Sequence, residues 1–177
     1  MPRLFIGLEV PEDVTLRLSA LRGGLPGARW ADPSDYHLTL RFIGDIDKRT
    51  AREIEDELAE IDSGPIAVHM AGLGVFGGDK PHTLFASIAP NKALNELQIE
   101  SERALRRIGL PPEQRKFMPH VTLARLRSTS VLDLADYLQS FGHVPNQGFT
   151  ADRFALFSAR ESVGGGPYIV EAAYPLH

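Results

Sequence analysis

Apolar and polar residues alternate over short stretches of this chain and recur every three or four positions over longer ones, which separates strands from helices. Leu4 to Val10 is bulky and alternating, the mark of a strand. Pro11-Glu12-Asp13 then predicts a helix start, with proline at the first helical position and acids at the positive end of the dipole. Val14, Leu18 and Leu21 give that helix an inner face, and Gly23-Gly24 is expected to stop it. After a loop rich in Gly, Pro and Asp, His37 to Ile43 reads as a strand. A helix from about Lys48 carries Ile54, Leu58 and Ile61 on one face, and Ile66 to Leu73 returns as a strand.

The same order then recurs. Thr83 to Ile88 reads as a strand, and Asn91 to Ile108 as a helix with Leu94, Leu97, Leu105 and Ile108 inward. His120 to Leu126 is a strand, Val131 to Leu138 a helix and Phe154 to Ala159 a strand, while Tyr168 to Ala173 suits a last strand. Residues 144–152 and 161–167, the latter with Gly164-Gly165-Gly166-Pro167, read as loops or edge segments. His37 and His120 are 83 positions apart, and the same step carries Leu4, Val14 and Lys48 to Ser87, Leu97 and Val131, each inside the matching element. The expectation is one α+β domain over residues 1–177, with an internal repeat of roughly 4–74 and 83–160. Its two pseudo-symmetric lobes of antiparallel sheet would carry helices on their outer faces and an active-site cleft between them.

Composition narrows the chemistry. With 43% hydrophobic and 24% charged residues, the chain has the balance of an ordinary globular domain with a real core. It has no cysteine, which excludes disulfides, thiolate metal sites and a cysteine nucleophile. No signal-peptide pattern or membrane-length apolar run is present, so a cytoplasmic protein, working as a monomer without membrane contact, is expected. A net charge of −4 disfavours holding long nucleic acid mainly by phosphate neutralisation. It leaves room for a short nucleotide end in a locally basic pocket, and Arg103, Arg106, Arg107, Arg115, Lys116, Arg125 and Arg127 are candidates for one.

The sharpest signal is a motif present twice, His37-Leu38-Thr39-Leu40 and His120-Val121-Thr122-Leu123. Residues two apart on a strand share a face. Each histidine therefore lies beside its threonine, while Leu38 and Leu40, or Val121 and Leu123, point to the core. An imidazole and a hydroxyl suit a wet cleft better than a core, and the repeat sets the two pairs facing each other. Two imidazoles near neutral pH can hold one neutral base and one charged acid. The hydroxyls of Thr39 and Thr122 can donate to phosphate oxygens whose charge grows in the transition state. Such a set can cleave a phosphodiester without metal or cofactor, and its near symmetry leaves open which histidine gives the proton.

These motifs resemble the two-histidine phosphoesterase superfamily, and within it the RNA 2′,3′-cyclic phosphodiesterases, also called 2′-5′ RNA ligases. The likeness runs over nearly the whole chain: Arg3-Leu4-Phe5-Ile6-Gly7-Leu8, Trp30, Tyr36 to Gly44, Gly74-Val75-Phe76, Lys116 to Arg125, Tyr168 and Tyr174-Pro175-Leu176. It implies a bilobal fold and hydrolysis of a terminal 2′,3′-cyclic phosphate, on RNA ends or small nucleotides, to a 2′-phosphate. It further implies His37 as proton donor, His120 as acceptor, Phe42 near the base and Arg125 near the phosphate. Strand parity objects to these last two, because both lie five positions past a histidine. A regular strand would turn them away and present Arg41 instead; a bulge would be needed to reverse this. His82 stands where relatives often carry arginine and reads as a surface residue, with a weaker phosphate contact as the alternative; His69, His143 and His177 read as structural or solvent-exposed.

Rival readings are a related phosphodiesterase acting on ADP-ribose cyclic phosphate or 2′-5′ oligonucleotides, a zinc hydrolase using His37, His120 and Asp35, and a non-catalytic RNA-binding module. The second lacks a compact ligand spacing, and the third lacks a basic aromatic stripe. Weak ligation, the reverse of ester opening at the same phosphate, would need no further residue.

Overall fold

The computed structural model describes residues 3–141, 147–159 and 168–177. Its strands are β1 (Arg3–Glu9), β2 (Ala28–Trp30), β3 (His37–Asp45), β4 (Ile66–Phe76), β5 (Thr83–Ile88), β6 (His120–Leu126), β7 (Gly148–Ala151), β8 (Arg153–Ala159) and β9 (Tyr168–Pro175). The helices are α1 (Glu12–Ser19), α2 (Lys48–Ala59), α3 (Lys92–Arg107) and α4 (Val131–Phe141). Their starts follow local chemistry. Asp47 accepts from the Thr50 amide at 3.0 Å, Asn91 from Leu94 at 3.0 Å, and Ser130 from Asp133 at 3.0 Å. α1 has no side-chain cap; Pro11 occupies its N-cap, and Glu12 and Asp13 lie in the first turn. It closes at Ser19, so Leu21 lies past its end. The glycine-rich stretch 164–166 and His143 lie outside the described residues, as do 144–146 of the expected loop. Among the described residues no helix is long and apolar enough to cross a membrane.

The strands pair antiparallel in the order β7-β4-β5-β6-β3-β1-β8-β9, and β2 adds to β6. The expected repeat is present in element order, but its strands are exchanged. β1 and β3 come from the first copy and are joined by β8 from the second; β5 and β6 come from the second and are joined by β4 from the first. Each half of the sheet therefore needs chain from both copies, and neither copy closes a sheet half alone. The halves meet along β3 and β6 through the single bridge Leu38–Val121.

One face of the sheet carries the main core. Leu4, Ile6 and Leu8 of β1, Leu38 and Leu40 of β3, and Val121 and Leu123 of β6 pack with Val14, Leu18, Ile54, Leu58, Leu94, Leu97 and Leu105 of the helices. A second cluster of Leu84, Ala124, Leu126, Leu134 and Tyr137 lies under α4, with Trp30 against it. Trp30 is thus a core aromatic, at 5.9 Å from Tyr137. The other face carries the histidines.

Candidate active site

Leu38 and Val121 are direct cross-strand partners in an antiparallel pair. Counting out one position places His37 opposite Thr122 and Thr39 opposite His120, all four on the face away from the core. Diagonal neighbours in such a ladder stand about 7–8 Å apart, so the two imidazoles flank a space lined by two hydroxyls. The expected constellation of His37, Thr39, His120 and Thr122 is brought together by one register.

Both rings are held alike. The Nδ1–H of His37 donates to the Asp35 carbonyl at 2.8 Å, and that of His120 to the Met118 carbonyl at 2.7 Å. A carbonyl can only accept, so Nδ1 keeps its proton and Nε2 is left to take or give one. Local sequence aims both carbonyls. Asp32 caps a single 3-10 turn over Pro33–Asp35, and Met118 precedes Pro119, which restricts it to extended backbone. Burial pushes both imidazoles below their ordinary range, against the opposing effect of these hydrogen bonds; His120 lowers His37 further, and Arg125 lowers His120.

Each ring rests on an aromatic shelf. His37 packs on Phe5 at 4.6 Å and meets Tyr168 edge-on at 4.8 Å, with Phe157 stacked on Phe5 at 4.9 Å. His120 lies 5.0 Å from Phe76 and 5.2 Å from Phe85, which stack on each other at 4.2 Å. Gly74 permits this second shelf, because a Cβ there would come within 2.5 Å of the Phe85 ring. Phe76 is therefore a cleft-wall aromatic. The sequence signal for the rest of these shelves is that β1, β5 and β8 are apolar on both faces.

The parity objection is resolved by a bulge in each copy. Along β3 the partners of β1 pass from Thr39 to Arg41, omitting Leu40; along β6 the partners of β5 pass from Thr122 to Ala124, omitting Leu123. The bulges occupy equivalent positions and reverse the alternation beyond them. Phe42 and Arg125 consequently turn to the histidine face, where both are exposed. Arg41 turns the other way. It is 8% exposed, pairs through Nε with Glu102 of α3, and donates to the carbonyls of Phe42 and Pro111 at 2.5 Å each. The regular-strand parity that favoured Arg41 for the cleft does not apply, and the structure does not bring Arg41 to the histidines.

Arg125 reaches further than its exposure suggests, since its charge acts on both His120 and Tyr168. Burial is the first cause raising the Tyr168 hydroxyl, and Asp35 adds to it. Burial likewise raises Asp35, and the nearby Asp32 charge adds to it, against the opposing effect of the Tyr168 backbone. Of the other basic candidates, Arg103, Arg107 and Arg115 are paired with Glu100, Glu57 and Glu113. His82 is exposed, 6.5 Å from Phe76, and shares a 2.8 Å hydrogen bond with Thr83; His69 and His177 are exposed away from the site. Among the described residues no three His, Asp or Glu side chains converge into a metal-ligand group, so His37, His120 and Asp35 do not form the set a zinc site would need. A cavity of about 200 Å³ lined by Leu4, Lys48, Arg52, Glu55, Leu156 and Glu171 lies under α2, on the opposite face of the sheet.

Fold and site together define a duplicated antiparallel sheet with one histidine–threonine pair per copy, facing each other across a shared space. Residues 8–85 and 87–168 each match the family model described as LigT like phosphoesterase, so one histidine motif falls in each match. The chain belongs to that family. It is 34% identical over 130 residues to the RNA 2′,3′-cyclic phosphodiesterase of Bacillus subtilis, covering 70% of this chain and 71% of that one. It is also 34% identical to the protein of the same name from Aeropyrum pernix over 132 residues, 73% of this chain and 74% of that one. The fold matches Escherichia coli LigT in complex with 3′-AMP at a TM-score of 0.80 and 19% identity, covering 99% of both chains. TT0787 of Thermus thermophilus gives a TM-score of 0.80 at 22% identity, covering 98% of this chain and 97% of that one.

Proposed function

We propose that this chain hydrolyses the terminal 2′,3′-cyclic phosphate of RNA to a 2′-phosphate, with His120 as base and His37 as acid. The observation that carries the reading is the Leu38–Val121 register, which sets two Nε2 atoms and two hydroxyls around one space. The printed names of the relatives point to the same substrate.

Neutral His120 Nε2 takes a proton from water as its oxygen bonds to phosphorus. The bond from phosphorus to the 3′ oxygen breaks, and that oxygen takes the proton from His37 Nε2. A 2′-phosphomonoester and a free 3′ hydroxyl result. Thr39 and Thr122 donate to the non-bridging oxygens, where charge accumulates. Burial favours the neutral form of His120 first, and the Arg125 cation beside it adds to this, which supports His120 as the base. With a 5′ hydroxyl attacking phosphorus in place of water and the 3′ oxygen leaving as before, the same four groups would form a 2′-5′ linkage weakly. In this reading the base meets Phe42, whose exposure on the site face supports it.

Product analysis on an RNA ending in 2′,3′-cyclic phosphate tests this. A 2′-phosphate product is expected, unaffected by EDTA, and His37→Ala and His120→Ala should each lose about a hundredfold or more. Activity that survives His120→Ala, or that needs added zinc, would overturn it. Faster turnover of ADP-ribose cyclic phosphate or of a 2′-5′ dinucleotide would keep the chemistry and change the substrate.

A further inference from the structure

Beyond the four central groups, the histidine face continues along a row that crosses three strands. Thr83 of β5 is the direct partner of Arg125 of β6, and Arg125 is the direct partner of Arg29 of β2. Ala28 and Trp30, on either side of Arg29, pack into the core cluster under α4. Arg29 therefore projects from the other face, the one that carries Arg125 and the histidines. Both arginines are exposed, and neither forms an ion pair among the described residues. Two like charges directly opposite each other in an antiparallel pair destabilise the sheet. Here the pair sits at an edge, in a chain whose net charge is −4, beside a space suited to a phosphate. A local excess of positive charge in an acidic protein is a place where an anion gathers.

We infer that Arg29 binds a second phosphate of the substrate, the one linking the terminal nucleotide to its neighbour, so that the enzyme favours an oligonucleotide end over a mononucleotide. This deepens the cyclic phosphodiesterase reading and rests on it. The geometry separates two roles. Arg125 is coupled to His120 and belongs with the reacting phosphate. Arg29 is one strand further out, about 4.8 Å at the backbone, on the side of Arg125 opposite Thr83. A chain whose terminal phosphate lies between the histidines and which leaves along the β6 edge passes its next phosphate over Arg29.

The test compares kcat/KM for a 2′,3′-cyclic mononucleotide with that for a trinucleotide ending in the same group, in the native chain and in Arg29→Gln. Arg49→Gln, on the exposed face of α2, controls for net charge. The native chain should prefer the trinucleotide, and Arg29→Gln should reduce the ratio of the two values about tenfold, the worth of one charge-assisted contact. A ratio unchanged in Arg29→Gln overturns the inference, whether both values fall together or neither does. If the native chain turned over neither substrate, the cyclic phosphodiesterase reading itself would fall. Arg29 would then be judged by binding of a trinucleotide 2′-phosphate across a salt series. Loss of one phosphate contact lowers the slope of log affinity against log salt by about 0.7, and an unchanged slope overturns the inference.

Discussion

The half of the sheet that holds His37 and the half that holds His120 are built to one plan but set different side chains beside their histidines. In both, a bulge after the His-x-Thr unit turns the next residue inward and the one after it toward the site. In the His37 half those two residues are Arg41 and Phe42; in the His120 half they are Ala124 and Arg125. The same backbone thus offers an apolar ring on one side and a cation on the other. The edges widen the difference. β9 brings Tyr168 against His37, with the Asp35 carboxyl behind it, while β2 sets Arg29 beside Arg125. The two halves match in backbone, and a few unmatched side chains set their histidines in different surroundings.

The largest way to break this comparison lies at Arg41, which has only an alanine as its counterpart. Its removal leaves the part-buried Glu102, 14% exposed, without its cation, a loss of about 2–3 kcal/mol. Arg41→Met should lower the denaturant midpoint accordingly, and adding Glu102→Leu should recover much of it. No change in the midpoint would show that the pair does not hold α3 to β3.

A smaller effect is expected at Arg125. Arg125→Gln should cost about tenfold to a hundredfold in kcat/KM. It should also move the titration of His120 up toward 6.5. Because the base must be neutral, the acidic limb of the pH–rate profile should shift to higher pH while His37 moves less. NMR titration of the two imidazole rings follows both groups separately, and equal movement would erase the asymmetry.

The smallest change tests the shelf under His120. Gly74→Ala presses on Phe85, where the equivalent position beside β1 is already Ala155. A cost of about 1–3 kcal/mol is expected, with the His120 ring signal displaced and that of His37 little changed.

Much of this was legible because it is local. The alternation in His37 to Leu40 and His120 to Leu123 shows which side chains share a face, and the constant step between the copies shows that they correspond. The bulges were not legible, since Leu40 and Leu123 are ordinary strand leucines and the omission is set by pairing with β1 and β5. Nor was the exchange of β4 and β8, which depends on contacts far apart in sequence. β2 is three residues in a loop rich in glycine and proline, too short to carry a period, so the face of Arg29 emerges only from its pairing.

Direction is the central claim, and a leaving group that needs no proton tests it most directly. On a phosphodiester with a p-nitrophenolate leaving group, His37→Ala should recover to within about tenfold of the native rate, while His120→Ala stays depressed by about a hundredfold or more. Recovery in His120→Ala instead, or equal loss in both, would contradict the assignment of His37 as acid and His120 as base.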